Sequence, residues 1–155
     1  MSPRNKQMEA PLVGVVMGSK SDDGVMKHAS MALTDLGIGY EVEITSAHRQ
    51  KGEKMLAYAK RVESIGIRVV IAGAGGSAHL PGMMASLVNV PVLGVAIDER
   101  ALSSLVFMPG GVPLATMGVG KTGAINAALM VALLLVGEVE GLAVRLEEYK
   151  KRRWG

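Results

Sequence analysis

The sequence predicts an α/β protein in three layers, with helices on both faces of a five-stranded parallel sheet and a helical extension at the C-terminus. Three observations predict it. Short apolar runs rich in Val and Ile recur along the chain, segments with helical apolar spacing separate them, and glycines gather at the ends of the apolar runs.

Leu12–Met17 is continuously apolar and reads as a buried strand, followed by a loop, Gly18–Asp22. Asp23–Leu36 carries Val25, Met26, Ala29, Met31, Ala32 and Leu36 at helical spacing; Ser21 or Asp22 can cap it, and Gly37 ends it. Ile38–Thr45 alternates as a second strand, broken by Ser46–Arg49. Lys51–Ile65 is a second helix, with Met55, Leu56, Ala59, Val62 and Ile65 on one face and Gly66 as its stop. Arg68–Ala72 reads as a third strand. Gly73–Gly82 is a glycine-rich turn leading into a short helix through Leu87, whose first turn suits Pro81. Pro91–Val95 is a fourth strand, Asp98–Leu105 a helix and Val112–Val119 a fifth strand. Thr122–Val136 and Val139–Arg152 complete the chain as helices. With right-handed crossovers, the loops after the first three strands meet along one sheet edge, where ligands bind in such sheets. No repeat or linker interrupts the 155 residues, so one domain is expected over 1–155: a tail over 1–11, an α/β core over 12–136 and a C-terminal helix over 137–155.

Composition narrows the function. The formal net charge is +3, but the one dense basic cluster, Arg145, Lys150, Lys151, Arg152 and Arg153, lies at the C-terminal end, and Arg4 and Lys6 lie in the N-terminal tail. No aromatics interleave with them, which argues against nucleic acid and for a solvated helix end. With no cysteine, disulfides, thiolate catalysis and Cys-bound zinc are excluded. No His and carboxylate pair has a metal-binding spacing, so no metal is expected. Ala127–Val136 is too short to cross a bilayer, which takes about 20 residues, and the N-terminus lacks a signal-peptide core; a cytoplasmic protein is expected. The 11 methionines read as core filler.

Three loops carry candidate chemistry. In Gly18–Asp22, Gly18 turns the backbone off the strand, Ser19 and Ser21 offer hydroxyls, and the next helix offers unpaired N–H donors, which together suit a phosphate. Asp22 either faces a ribose hydroxyl or caps the helix; a plain capping turn without ligand is the alternative. In Ser46–Arg49, His48 at a strand end is placed for proton transfer and Arg49 for clamping an anion. In Gly73–Gly82, the Gly75 and Gly76 backbone can approach a ligand closely, while His79 is either a pocket group or a loop-orienting one. Met108–Pro113 is a turn or a pocket wall, Lys121 and Asn126 are weaker pocket candidates, and His28 is a surface residue.

Val16-Met-Gly-Ser-Lys-Ser-Asp22, Thr45-Ser-Ala-His-Arg49, Ile71–Met83 with its Ala-His-Leu-Pro-Gly signature, and Met108-Pro-Gly-Gly-Val-Pro113 occur in the order seen in the AIR carboxylase family of purine biosynthesis. From about Leu12 to Leu135 the chain resembles its class I members, the N5-carboxyaminoimidazole ribonucleotide mutases. The resemblance implies a flavodoxin-like fold and migration of a carboxylate from the exocyclic nitrogen of an aminoimidazole ribonucleotide to ring carbon C4. Within that family the substrate decarboxylates in a closed site, C4 attacks the released CO2, and a histidine carries the proton. That histidine matches His48. Ser19, Asp22 and Arg49 match substrate-binding positions, with Gly18, Ser21, Ser46, Gly75, Gly76 and His79 lining the site. No cofactor is implied, and a homo-octamer is. Direct carboxylation of aminoimidazole ribonucleotide with CO2, the class II reaction, is the nearest alternative, and a non-catalytic nucleotide-binding module is the other. The chain departs from the family pattern in having Gln50-Lys51 for Thr-Pro, and in a shortened Ile97–Phe107 segment without the usual Gly-x-Asp-Ser stretch.

Overall fold

A computed structural model describes residues 10–155; Arg4, Lys6 and most of the expected tail lie outside the described residues. Five strands, β1 (Val13–Met17), β2 (Tyr40–Ile44), β3 (Val69–Ala74), β4 (Val92–Ala96) and β5 (Ala115–Val119), form one parallel sheet in the order β2-β1-β3-β4-β5. Six helices surround it: α1 (Asp23–Asp35), α2 (Glu53–Val62), α3 (His79–Leu87), α4 (Leu102–Val106), α5 (Gly120–Leu135) and α6 (Leu142–Trp154).

Alternation along the strands divides the interior in two. Val13, Val15, Met17, Val69, Ile71, Leu93 and Val95 point into a core closed by α1, α5 and α6. Val16, Val70, Ala72, Ala74, Val92 and Ala96 point into the opposite core, closed by α2, α3 and α4. Met17, Met26, Met55 and Met84 are fully buried, in keeping with the packing role expected of methionine, although Met31 is exposed. Gly14 on β1 lies against the Tyr58 ring of α2, so that helix sits close to the sheet.

Several boundaries differ from the sequence expectation, three of them for a visible local reason. Helix α2 starts at Glu53 and not at Lys51, because Gln50 (φ 51°), Lys51 (φ 54°) and Gly52 (φ 68°) take successive left-handed conformations ahead of it. Strand β5 starts at Ala115, three residues late, since Val112–Leu114 leave the Pro109–Val112 turn without pairing. Helix α6 starts at Leu142 after Gly141 (φ 72°) and runs on to Trp154. Arg145 is consequently not part of a solvated helix end: its Nε donates to the Leu36 carbonyl at 2.7 Å and its Nη1 to that of Glu140 at 3.1 Å, fastening α6 over the end of α1.

The sheet edge carrying the strand C-termini depends on one close backbone approach. A Cβ on Gly123 in α5 would stand 2.7 Å from the carbonyl carbon and oxygen of Gly118 in β5. Backbone cannot yield as a flexible side chain can, and overpacking costs about 1–3 kcal/mol, more than alanine's helix propensity returns. Gly123→Ala is expected to lower the urea midpoint with an unchanged slope; an unchanged midpoint would show that β5 and α5 tolerate separation.

Candidate functional site

Strand β1 pairs with β2 on one side and β3 on the other, so the chain departs in opposite directions from its C-terminal end. A cleft of about 380 Å³ opens there. Its lining includes Gly18, Ser19 and Asp22 after β1, Ser46, Ala47 and His48 after β2, and Gly75, Gly76 and His79 after β3. Asp98 and Arg100 after β4 complete it.

The Gly18–Asp22 loop closes on itself. Ser19 caps a short 3-10 turn over Lys20–Asp22, its Oγ accepting from Ser21 N at 3.4 Å, while Ser19 N donates to Asp22 Oδ2 at 3.1 Å. Asp22 N in turn donates to the Ser19 carbonyl. The N–H donors of 19, 21 and 22 are therefore occupied within the loop itself. What the loop presents is the Ser19 and Ser21 hydroxyls, 3.1 Å apart; Ser19 lines the cleft and Ser21 stands just behind it. The Asp22 carboxylate completes the capping box of this short turn, makes no side-chain cap bond to α1, and lines the cleft.

After β2, the Ser46 hydroxyl accepts from His48 N and Arg49 N, both at 3.2 Å, turning the chain so that the His48 ring enters the cleft. There His48 Nε2 stands 2.6 Å from His79 Nδ1, with the rings edge to face at 88°. One of these two nitrogens carries the shared proton and donates it to the other. Arg49 is exposed, and its side chain is not part of the cleft lining. Met83, Lys121, Asn126, His28 and the Met108–Pro113 turn also lie outside it.

In the wall after β4, the sequence marks the Ile97–Phe107 segment as a departure but does not single out Asp98 or Arg100. Asp98 Oδ2 accepts from Gly76 N at 3.4 Å and from Arg100 Nη2 at 3.2 Å, and its Oδ1 accepts from Ala101 N at 3.2 Å. The Gly76 N–H, expected to face a ligand, is thus held by Asp98. A Cβ on Gly75 would stand 3.2 Å from Asp98 Oδ2, so glycine is what permits this closeness. The available signal was positional: Asp98 follows the end of a fourth parallel strand, and ligand-binding loops gather at such ends.

The two carboxylates titrate in opposite directions. Partial burial, aided by the charge of Asp98, raises the Asp22 pKa against the pull of the Ser19 and Gly18 N–H groups. The Arg100 hydrogen bond, with its charge and the Gly76 and Ala101 N–H groups, lowers that of Asp98 against a desolvation cost. Among the described residues no group of three or more His, Asp or Glu side chains could hold a metal ion, and no helix is long and apolar enough to cross a membrane.

The family model described as AIR carboxylase matches residues 12–154. The chain is 48% identical over 147 residues to the N5-carboxyaminoimidazole ribonucleotide mutase of Bacillus subtilis, covering 91% of this chain and 90% of that protein. It is 44% identical over 157 residues to the Escherichia coli protein of the same name, covering 97% and 90%. It also matches the bifunctional purine synthesis protein purC/E of Dictyostelium discoideum at 45% identity, over 95% of this chain but only 15% of that much longer protein. Treponema denticola PurE superposes with a TM-score of 0.83 at 26% identity, covering 92% of this chain and 91% of that one.

The raised Asp22 pKa has a consequence for stability. The folded state binds this proton more tightly than the unfolded chain does. The stability Asp22 contributes is therefore full below its ordinary value of 3.8 and is lost as pH rises through its folded pKa. Asp22→Asn keeps an oxygen for the Ser19 N–H, so its melting temperature at pH 7 should equal or exceed the parent's. The difference should shrink on acidification in paired thermal melts; a difference that widens instead would reverse the assignment.

Proposed function

The chain belongs to the AIR carboxylase family, and from that membership and the paired histidines of the cleft we propose that it is a class I mutase, converting N5-carboxyaminoimidazole ribonucleotide to 4-carboxy-5-aminoimidazole ribonucleotide. The bond from the exocyclic nitrogen to the carboxylate breaks, releasing CO2. C4 then attacks that CO2, the nitrogen gains a proton and C4 loses one. Proton gain and loss balance, so one shuttling base suffices and no metal or organic cofactor is called for.

His48 is that base in this reading. The observation that carries it is the 2.6 Å contact with His79 Nδ1, which fixes the His48 ring and gives its proton a partner to be shared with. His79 acts through His48 as a positioning residue while remaining at the substrate's edge. Ser19, Ser21, Asp22, Ser46 and Arg49 contact the polar groups of the ribonucleotide, with the Gly18, Gly75 and Gly76 backbone against the heterocycle. Arg49 reaches substrate by a side-chain swing from its exposed position.

The protein works in this reading as a cytoplasmic single-domain enzyme and a homo-octamer. Assembly is supported by apolar side chains left in water: Phe107 is 83% exposed, and Val106, Leu133 and Leu134 are exposed with it. A light-scattering mass eight times that of the monomer is expected, and a monomeric mass would refute it.

Two assays test the reaction. The N5-carboxy compound should be turned over efficiently, and aminoimidazole ribonucleotide with bicarbonate should not; the reverse result would make the protein a direct carboxylase. His48→Asn should lower turnover by about 10²–10⁴-fold while calorimetric affinity for the product stays within about threefold, whereas unchanged turnover would remove His48 from the chemistry.

A further inference from the structure

Among the described residues the cleft lining holds two carboxylates, Asp22 and Asp98, two imidazoles, and a single permanently charged cation, Arg100. A substrate bearing both a phosphate and a carboxylate meets unfavourable charge there unless a cation faces it. Arg49, the cation expected from the sequence, is not in the lining. Arg100 is there, and its location is built.

Asp98 ends the stretch after β4 and caps the 3-10 turn Glu99–Ala101, its Oδ1 accepting from Ala101 N. That cap fixes Arg100 in the middle of the turn. Asp98 Oδ2 then holds Arg100 Nη2 at 3.2 Å while also accepting from Gly76 N. Among the described residues Asp98 is the only polar partner of this guanidinium, whose side chain is 83% exposed. A guanidinium has five N–H donors in a planar fork, so most remain for a second partner. A planar fork matches a phosphate or carboxylate edge with two parallel bonds.

We propose that Arg100, stationed by Asp98, is an anion-binding residue of this cleft that closes on an oxyanion of the substrate, its phosphate or its carboxylate. The proposal rests on the mutase reading for the identity of that substrate. The opposite end of the cleft is furnished with the Ser19 and Ser46 hydroxyls. From β2 to β4 is three strand spacings, about 14 Å. A mononucleotide laid across that span has polar ends to be met on both sides, and Arg100 meets the one that the serines do not.

Being exposed, Arg100 can be replaced without disturbing the fold, which an unchanged melting temperature verifies. Arg100→Ala should weaken calorimetric binding of 4-carboxy-5-aminoimidazole ribonucleotide by about tenfold or more and raise KM similarly, with kcat within about twofold. Arg100→Lys should recover part of the loss, since it restores the charge without the fork. Repeating the titration with the dephosphorylated nucleoside identifies the anion: a penalty that disappears assigns Arg100 to the phosphate, and one that persists assigns it to the carboxylate. Equal binding of the ribonucleotide by Arg100→Ala and parent overturns the proposal. Should the parent itself ignore the ribonucleotide, the mutase reading fails, and titration with inorganic phosphate decides Arg100 separately. Phosphate binding by the parent that Arg100→Ala loses upholds the assignment; its absence or persistence in both overturns it.

Discussion

β1 is hydrogen-bonded in parallel on both sides, in a register that sets Met17 beside Ile44 of β2 and beside Gly73 of β3. Because the three strands run the same way, their outgoing chains leave from one edge. Because β2 and β3 flank β1, they leave around a gap. His48 reaches that gap from the β2 side and His79 from the β3 side, 31 positions apart in sequence and 2.6 Å apart in space. Had β3 paired instead with β2, the same loops would carry the same residues to different places. The chemistry of the cleft is thus a property of strand order before it is a property of any side chain.

Within and around the gap, several backbone N–H groups are already held by the chain's own side chains. Asp22 holds the N–H of Ser19, Ser19 that of Ser21, Ser46 those of 48 and 49, and Asp98 those of Gly76 and Ala101. Each bond stabilises by only about 1 kcal/mol, but together they set the loop shapes before a ligand arrives. The polar side chains that line the cleft to meet substrate include serine hydroxyls, two imidazoles, the Asp22 carboxylate and a guanidinium. Such groups can rotate to meet a ligand, whereas the framework beneath them does not need to move.

The left-handed turn at Gln50, Lys51 and Gly52 belongs to the same framework. Non-glycine residues in that region cost on the order of 1 kcal/mol each and persist when their surroundings dictate them. Here the Ser46 bonds fix the chain before the turn. After it, Lys54 Nζ ties α2 to the Ile44 carbonyl at 2.8 Å and to Glu43 at 3.3 Å. The strain lies between two anchored points, immediately beyond His48. A chain with Thr-Pro at 50 and 51 would meet this constraint differently, since proline cannot adopt a positive φ.

The strand and helix order was legible because apolar period and glycine placement are local signals, and Leu12–Met17 or Asp23–Leu36 could be read from a dozen residues each. The three motif loops were legible for the same reason, each following a strong strand. The hydrogen bonds that occupy the Gly76 and Ser19 N–H groups were not, because sequence shows which donors a loop owns and not which acceptor reaches them first. Asp98 lies 22 positions from Gly76, and nothing in either segment alone announces their contact. Arg100 escaped notice for a related reason: in Ile97–Phe107 the sequence shows a short helix and a departure from a pattern, while the functional content comes from where β4 ends. A loop shortened at that point need not open the cleft, because Asp98 bridges back to the β3 loop directly and brings Arg100 with it. The segment that departs furthest from the family pattern is therefore the one that supplies the only guanidinium lining the cleft among the described residues.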